Sequence, residues 1–134
     1  MPVFQAPASI FGKITVDCLI EAPTNFAYAS SYQIDTSLKN DYAASGTLNG
    51  NITFTFTNVA ANHQGMWAVR QDATGNRTVT ITPPGGWSLY RDASVVSLAA
   101  SAAANSVTIY TYAFVAVGGL NIMYVGKLTP VAGA

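Results

Sequence analysis

Between Thr47 and Thr82 polar and apolar residues change places almost one by one. Ile52, Phe54 and Phe56 alternate with Thr53, Thr55 and Thr57, so an extended chain carries rings on one face and hydroxyls on the other. A period of two is a half-buried strand; a helix would scatter the same residues around its circumference. Trp67 and Val69 then fall on one side of the next strand, with Met66, Ala68 and Arg70 on the other. Asp72-Ala-Thr-Gly-Asn76 supplies turn chemistry, because Gly75 or Asn76 can adopt positive φ. The chain continues as Thr78-Val-Thr-Ile-Thr82, again alternating. The pattern predicts a β-hairpin flanked by a third strand.

On the N-terminal side, residues 1–9 hold two prolines and no periodicity, which reads as an extended arm with Phe4 as its docking residue, or as disorder. Ile10 to Glu21 reads as a long strand, with Ile14, Val16 and Cys18 opposite Lys13, Thr15 and Asp17. Ala22-Pro-Thr-Asn25 turns the chain, Phe26 to Tyr32 and Ile34 alternate weakly, and 35–41 is a polar loop that Asp35 or Thr36 could cap. Beyond the central stretch, Pro83-Pro-Gly-Gly86 must be a loop, and Trp87-Ser-Leu-Tyr90 is a short segment folding Trp87 over one end of the core. Residues 95–104 read two ways: alanine favours helix, whereas Val95-Val96 and the lack of charge favour strand and loop. Ser106 to Val117 is a long strand, turned by Gly118-Gly119 into Leu120 to Gly126 as a final hairpin. Residues 127–134 are a tail containing Pro130. These elements predict an all-β fold, an antiparallel β-sandwich of jelly-roll-like type. An extended N-terminal arm (1–9) precedes the single domain (10–134).

The strand from Ser106 to Val117 is apolar on both faces. With Val107, Ile109, Ala113 and Val115 assigned to the core, Tyr110, Tyr112 and Phe114 point outwards and suit a subunit interface better than water.

Composition strengthens that inference. Half of the 134 residues are hydrophobic and only 9% are charged, against about a quarter in an ordinary soluble domain. Ser, Thr, Asn and Gln cover part of the exterior, and the remaining apolar surface implies packing on copies of the chain or on a partner. The net charge is zero, and six basic residues are scattered along the chain, so no basic stripe exists to neutralise phosphates and nucleic acid is not expected as a partner. The single Cys18 allows neither an intrachain disulfide nor a thiolate metal cluster and reads as a small buried side chain. The N-terminus lacks the pattern of a signal peptide. The most apolar tract, Tyr112 to Val125, is broken at Gly118-Gly119, so no membrane helix is expected.

Candidate chemistry is sparse. His63, alone between Asn62 and Gln64, has no second histidine with which to share a metal and reads as a loop residue. Asp72-x-Thr74-x-Asn76 spaces oxygens like the start of a calcium loop, but Gly75 is misplaced and no Glu closes the shell, so a side-chain-braced turn is expected. Arg70, Arg77 and Asp72 are candidates for pairing across the hairpin. Six acidic residues could furnish a glycosidase pair, yet none stands in a recognisable setting. Trp67, Trp87, Tyr90 and Tyr124 are of a type that stacks on sugars; Trp67 reads as core, while Trp87 and Tyr90 are the candidate glycan platform. The sequons at Asn51 and Asn76 are of the kind that Thr/Asn-rich strands produce by chance.

Leu48-Asn-Gly-Asn-Ile-Thr-Phe-Thr-Phe-Thr-Asn58, the run from Trp67 to Thr80, and Ala104-Asn-Ser-Val107 before a Tyr-rich strand together resemble a β-module of tailed-bacteriophage virion proteins. Such modules occur in tail fibres, head fibres and capsid-decoration proteins. The resemblance covers about residues 44–126, with Gln71-Asp-x-Thr-Gly-x-Arg-Thr-Val79 its most specific piece; the last hairpin departs from it, with Gly118-Gly119 for the usual Asp-Gly turn. The resemblance implies a non-enzymatic structural protein that forms a homotrimer on the virion surface, bound to a major capsid protein or a tail protein. It implies synthesis in the host cytoplasm and no cofactor. A capsid decoration or head fibre is the first expectation, and a tail-fibre or tail-adaptor module that binds a host glycan is the alternative.

Overall fold

A computed structural model describes residues 24–37, 41–44 and 47–131 of the chain. The arm at 1–9 with Phe4, and the strand expected over Ile10 to Glu21 with Cys18, lie outside the described residues. Among the described residues nine strands follow one another: β1 (Thr24–Phe26), β2 (Ser31–Asp35), β3 (Asp41–Ala44), β4 (Ile52–Thr57), β5 (Gln64–Arg70), β6 (Val79–Ile81), β7 (Ser88–Arg91), β8 (Val107–Val117) and β9 (Leu120–Leu128). They form a six-stranded sheet, ordered β1-β3-β5-β8-β9-β7, and a three-stranded sheet, ordered β2-β4-β6. No helix occurs among the described residues, and the fold is an all-β sandwich.

The strand pairing within the sandwich differs from a succession of hairpins. From β1 to β6 each strand crosses to the opposite sheet, so strands two apart in the chain become neighbours running the same way. β1 pairs with β3 and β3 with β5, while β2 pairs with β4 and β4 with β6, all in parallel. The hairpin expected from β5 and β6 is therefore not formed. Those strands belong to different sheets, joined by an arch at Asp72–Asn76, and β5 pairs instead with β8, antiparallel, from Gln64↔Ala113 to Arg70↔Val107. Alternation and turn residues are common to arches and hairpins, so they do not say which edge a returning strand finds. The final hairpin does form: β8 and β9 pair antiparallel down to Val117↔Leu120, closed by Gly118 (φ 55) and Gly119 (φ 81). Two consecutive left-handed residues make the turn whose twist matches the flanking strands, and glycine tolerates both positions without a Cβ clash.

The two sheets meet over an aromatic core. Ile34, Ile52, Phe54, Phe56 and Val79 from the small sheet are buried against Trp67, Val69, Tyr110, Tyr112, Phe114, Met123 and Val125 from the large one. Phe56 touches three rings edge-on, with centroids 5.7 Å from Trp67, 5.6 Å from Tyr112 and 5.8 Å from Phe114. Trp67 lies flat on Tyr110 at 4.7 Å, its indole N–H buried without a hydrogen-bond partner. Edge-to-face geometry brings a positive ring rim to a negative face and adds to the area term.

Residues 95–104 are neither helix nor strand but an irregular loop laid along the core. Its carbonyls are satisfied from outside: the Tyr110 hydroxyl donates to Leu98 O at 2.7 Å and Lys127 Nζ to Ala99 O at 2.9 Å, while Ser101 N–H donates to Thr108 Oγ1 at 2.9 Å. Alanine's helix preference is overridden because each of these backbone groups already has a tertiary partner.

Phe56→Ala should remove contacts to three rings at once and cost about 3–5 kcal/mol, the range for large-to-small changes in a packed core. Urea unfolding followed by tryptophan fluorescence measures it.

Candidate functional site

The most specific motif of the chain, Gln71-Asp-x-Thr-Gly-x-Arg77, builds the arch between β5 and β6. Gln71 is 1% exposed, and its side chain acts as a substitute strand partner. Nε2 donates to Arg77 O at 2.8 Å and to Ser101 O at 2.9 Å, while Oε1 accepts from Arg77 N–H at 3.0 Å. Asp72 Oδ1 accepts from the N–H groups of Thr74 and Gly75, and Oδ2 accepts from Arg77 Nε at 3.0 Å and from its terminal nitrogen at 2.6 Å. The hydrogen bond from Arg77 foremost, with those from Gly75 and Thr74, holds the Asp72 carboxyl below its ordinary range. Gly75 stands at φ +73 with Ala102 O 2.5 Å from where a Cβ would lie, so no other residue fits there unstrained. The expected Arg77–Asp72 pair is present, and the oxygens spaced like a calcium loop are engaged with backbone N–H groups and an arginine. Sequence reasoning placed the turn here and quoted Gln71 at the head of its most specific motif, but gave that side chain no role, since a polar residue among polar neighbours carries no periodic signal.

His63 belongs to the connection from β4 to β5, which also crosses between the sheets. Its Nδ1 lies 2.8 Å from Thr36 Oγ1 and accepts from Ala60 N–H at 3.3 Å, and its carbonyl accepts from Phe114 N–H at 2.8 Å. It joins three segments and stands in no metal cluster: no group of three or more His, Cys, Asp or Glu side chains comes together among the described residues.

The expected interface residues of β8 are reversed. Tyr110, Tyr112 and Phe114 are 0%, 2% and 0% exposed and form the core, not an outer patch. Burial pushes the Tyr110 phenol well above its ordinary range. The residues assigned to the core, Val107, Ile109, Ala113 and Val115, lie on the outer face instead. Each parity of this strand contains apolar residues and a threonine, so alternation leaves the choice open. Ring area decides it: turning three aromatic rings inwards removes more apolar surface than turning in two valines, an isoleucine and an alanine.

Trp87 and Tyr90, grouped as a glycan platform, are separated. Trp87 is half-buried, edge-on to Phe114 at 5.1 Å, and caps the core as expected. Tyr90 is on the outer face of the large sheet, in register with Tyr124 of β9, and both are exposed.

Two outer faces of opposite chemistry result. On the small sheet, Thr53 stands between Ser31 and Thr80, Thr55 beside Gln33, and Thr57 beside Asp35. On the large sheet, Ile109 is in register with Leu128, Ala113 with Tyr124, Val115 with Ile122 and Val117 with Leu120, and Met66 and Ala68 of β5 continue the rows. Met66, Tyr90, Val115, Val117, Leu120, Tyr124 and Leu128 are each more than a third exposed. Arg70, at the margin opposite Val107, is the charge that β5, β8 and β9 bring to this face. An open hollow of about 620 Å³ beside it, between Arg70, Asn105, Val107 and Pro130, is lined by no carboxylate and no histidine among the described residues.

Compared with protein-family models, with curated proteins and with solved structures, the chain matches none.

Replacing Gln71 by Leu should leave the N–H and C=O of Arg77 without partners and Ser101 O with only the 3.3 Å bond from the Ser106 hydroxyl, lowering stability by about 2–3 kcal/mol at one to a few per orphaned group, read as a shifted urea midpoint. The depressed carboxyl of Asp72 gives the arch a pH dependence of definite sign: its contribution is complete above the unfolded-state value near 4 and is lost as pH falls through the lower folded-state value. Asp72→Asn should flatten the acid limb of a thermal-stability profile while leaving salt-sensitive behaviour at neutral pH governed by the remaining charges.

Proposed function

We propose that this chain is a non-enzymatic structural protein of a tailed-bacteriophage virion, a homotrimer carried on the particle surface as a capsid decoration or head fibre. The observation that carries the reading is the contrast between the two outer faces. The small sheet is dressed with hydroxyls and amides, whereas the large sheet exposes a nearly uncharged apolar surface. A surface of that kind is costly in water and is relieved by contact with another protein surface. The resemblance of residues 44–126 to virion β-modules supplies the particle, and the 9% charge content fits a subunit whose exterior is largely covered.

In this role the protein works by contact. It bridges or ornaments neighbouring capsid or tail subunits, with affinity drawn from buried area and multiplied by the joint attachment of three copies. No proton transfer, metal or cofactor is invoked.

The tail-fibre alternative has one observation in its favour, the exposed Tyr90–Tyr124 pair on adjacent strands, which could stack on a sugar ring. Trp87, half-buried and edge-on to Phe114, stands apart from that pair.

Particles assembled without this chain should lose infectivity faster than complete ones on heating or osmotic shock, and immunogold labelling of complete particles should decorate the head. Label confined to the tail, with Tyr90→Ala abolishing adsorption, would favour the glycan-binding alternative. Purified particles free of the chain would end both.

A further inference from the structure

The outer face of the large sheet is chemically unfinished, and the sequence around it says what completes it. No charged residue occurs from Ala93 to Gly126, so the whole of β8 and most of β9 is uncharged. Lys127, the nearest cation on β9, is in register with the inward-facing Tyr110 and donates to Ala99 O. Among the strands of this face, β5, β8 and β9 bring a partner steered by charge one outward-facing ion, Arg70 at the margin. The surface best matched to this face is therefore another uncharged, apolar, β-branched one, and the chain itself provides it.

Size and relief agree. β8 and β9 stay paired over nine residue pairs, Ile109↔Leu128 to Val117↔Leu120, a length of about 27 Å at ~3.4 Å per step. With β5 paired to them over seven residues and β7 over four, strands ~4.8 Å apart give a flat footprint of roughly 400 Å². The accessible surface of a corrugated face exceeds its flat footprint, which carries it towards the ~800 Å² that each partner gives to a standard stable interface. The face is not flat: Thr111 leans over Gly126, its Oγ1 2.5 Å from where a Cβ would lie, while Tyr124 and Leu128 stand on either side. The other outer face lacks this character, since Thr53, Thr55 and Thr57 present hydroxyls that water satisfies.

We infer that copies of this chain pack on one another through the outer face of β5, β8, β9 and β7, with Val115, Ile122 and Tyr124 at the centre of the contact. The inference rests on the proposed assembly role and deepens it by naming the surface: the outward row of the β8–β9 ribbon replaces the aromatic row as the interface. The uncharged hairpin tip at Val117–Leu120 extends past the last pairs that β5 and β7 make with the ribbon, so the contact continues along the strands beyond the sandwich. Three ribbons set around an axis along their strands would close the assembly without leaving the face open.

The full-length chain, followed by analytical ultracentrifugation and light scattering across micromolar concentrations, tests this. Wild type should run at a multiple of its 14.0 kDa chain mass. Val115→Lys combined with Ile122→Lys should run at the single-chain mass, and Tyr124→Thr, which keeps a strand-favouring residue, should raise the dissociation constant by roughly 30-fold or more. Near-UV circular dichroism of the Trp67–Tyr110 stack should match wild type in both variants. Thr55→Lys on the small sheet should leave the wild-type mass intact.

A wild type at single-chain mass throughout would overturn the inference, whether its own N-terminal residues, a different protein or a lipid vesicle proved to cover the face. So would a Val115→Lys/Ile122→Lys protein that kept the wild-type mass, or dissociation by Thr55→Lys. If the double variant failed to fold, the Tyr124→Thr measurement alone would decide. An oligomer absent from particles would sink the virion role and leave this interface standing; single chains on particles would do the reverse.

Discussion

The crossing from β5 to β6 is the constraint on which the remaining architecture depends. At that point the chain must leave the large sheet, turn through the thickness of the sandwich and enter the small one without stranding backbone groups in the interior. Gln71 makes this possible by acting as a strand partner made of side chain: one amide satisfies three backbone groups of two separate segments. An arch without it would bury unpaired donors and acceptors, each costing one to a few kcal/mol. Because the arch sends β6 away, β5 keeps a free edge on which β8 lands, and the β8–β9 ribbon extends the large sheet.

The two outer faces follow from that arrangement. Coiling from β1 to β6 stacks residues of the same parity in parallel register, so the threonines of β4 meet Ser31 and Thr80 and a hydroxyl row forms. The ribbon obeys no such repeat. Its inward parity is taken by Tyr110, Tyr112 and Phe114, which close the core around Phe56, and the outward parity inherits valine, isoleucine and alanine. A chain with so few ions thus has one hydroxyl-bearing face and one apolar, nearly uncharged face, and the division runs between sheets, not between halves of the sequence.

Much of the local structure was legible in the residues themselves. Period-two alternation over Ile52–Thr57 marked β4, Gly118-Gly119 marked the last turn, and Asp72, Gly75 and Arg77 marked a braced bend; each depends on neighbours within a few residues, where rotamer, φ preference and strand pleat act directly. The outward side of β8 was misread for a definite reason: both parities are apolar, and the choice between them is made by the ring volume that the opposing sheet, through Phe56 and Trp67, can enclose. Gln71 stood in the most specific motif without a role, because a buried amide has meaning only beside the particular backbone atoms it serves.

The sequence by itself determined that this chain would be built of strands, where many of them would begin and end, and that its exterior would be short of charge, because those properties are sums over local preferences. Strand partners, the parallel order of the coil and the identity of the exposed face were decided only in three dimensions. They depend on contacts between segments tens of residues apart, as when Gln71 meets Ser101 or Trp67 stacks on Tyr110, and no periodicity within a single segment encodes which distant edge or ring it will meet.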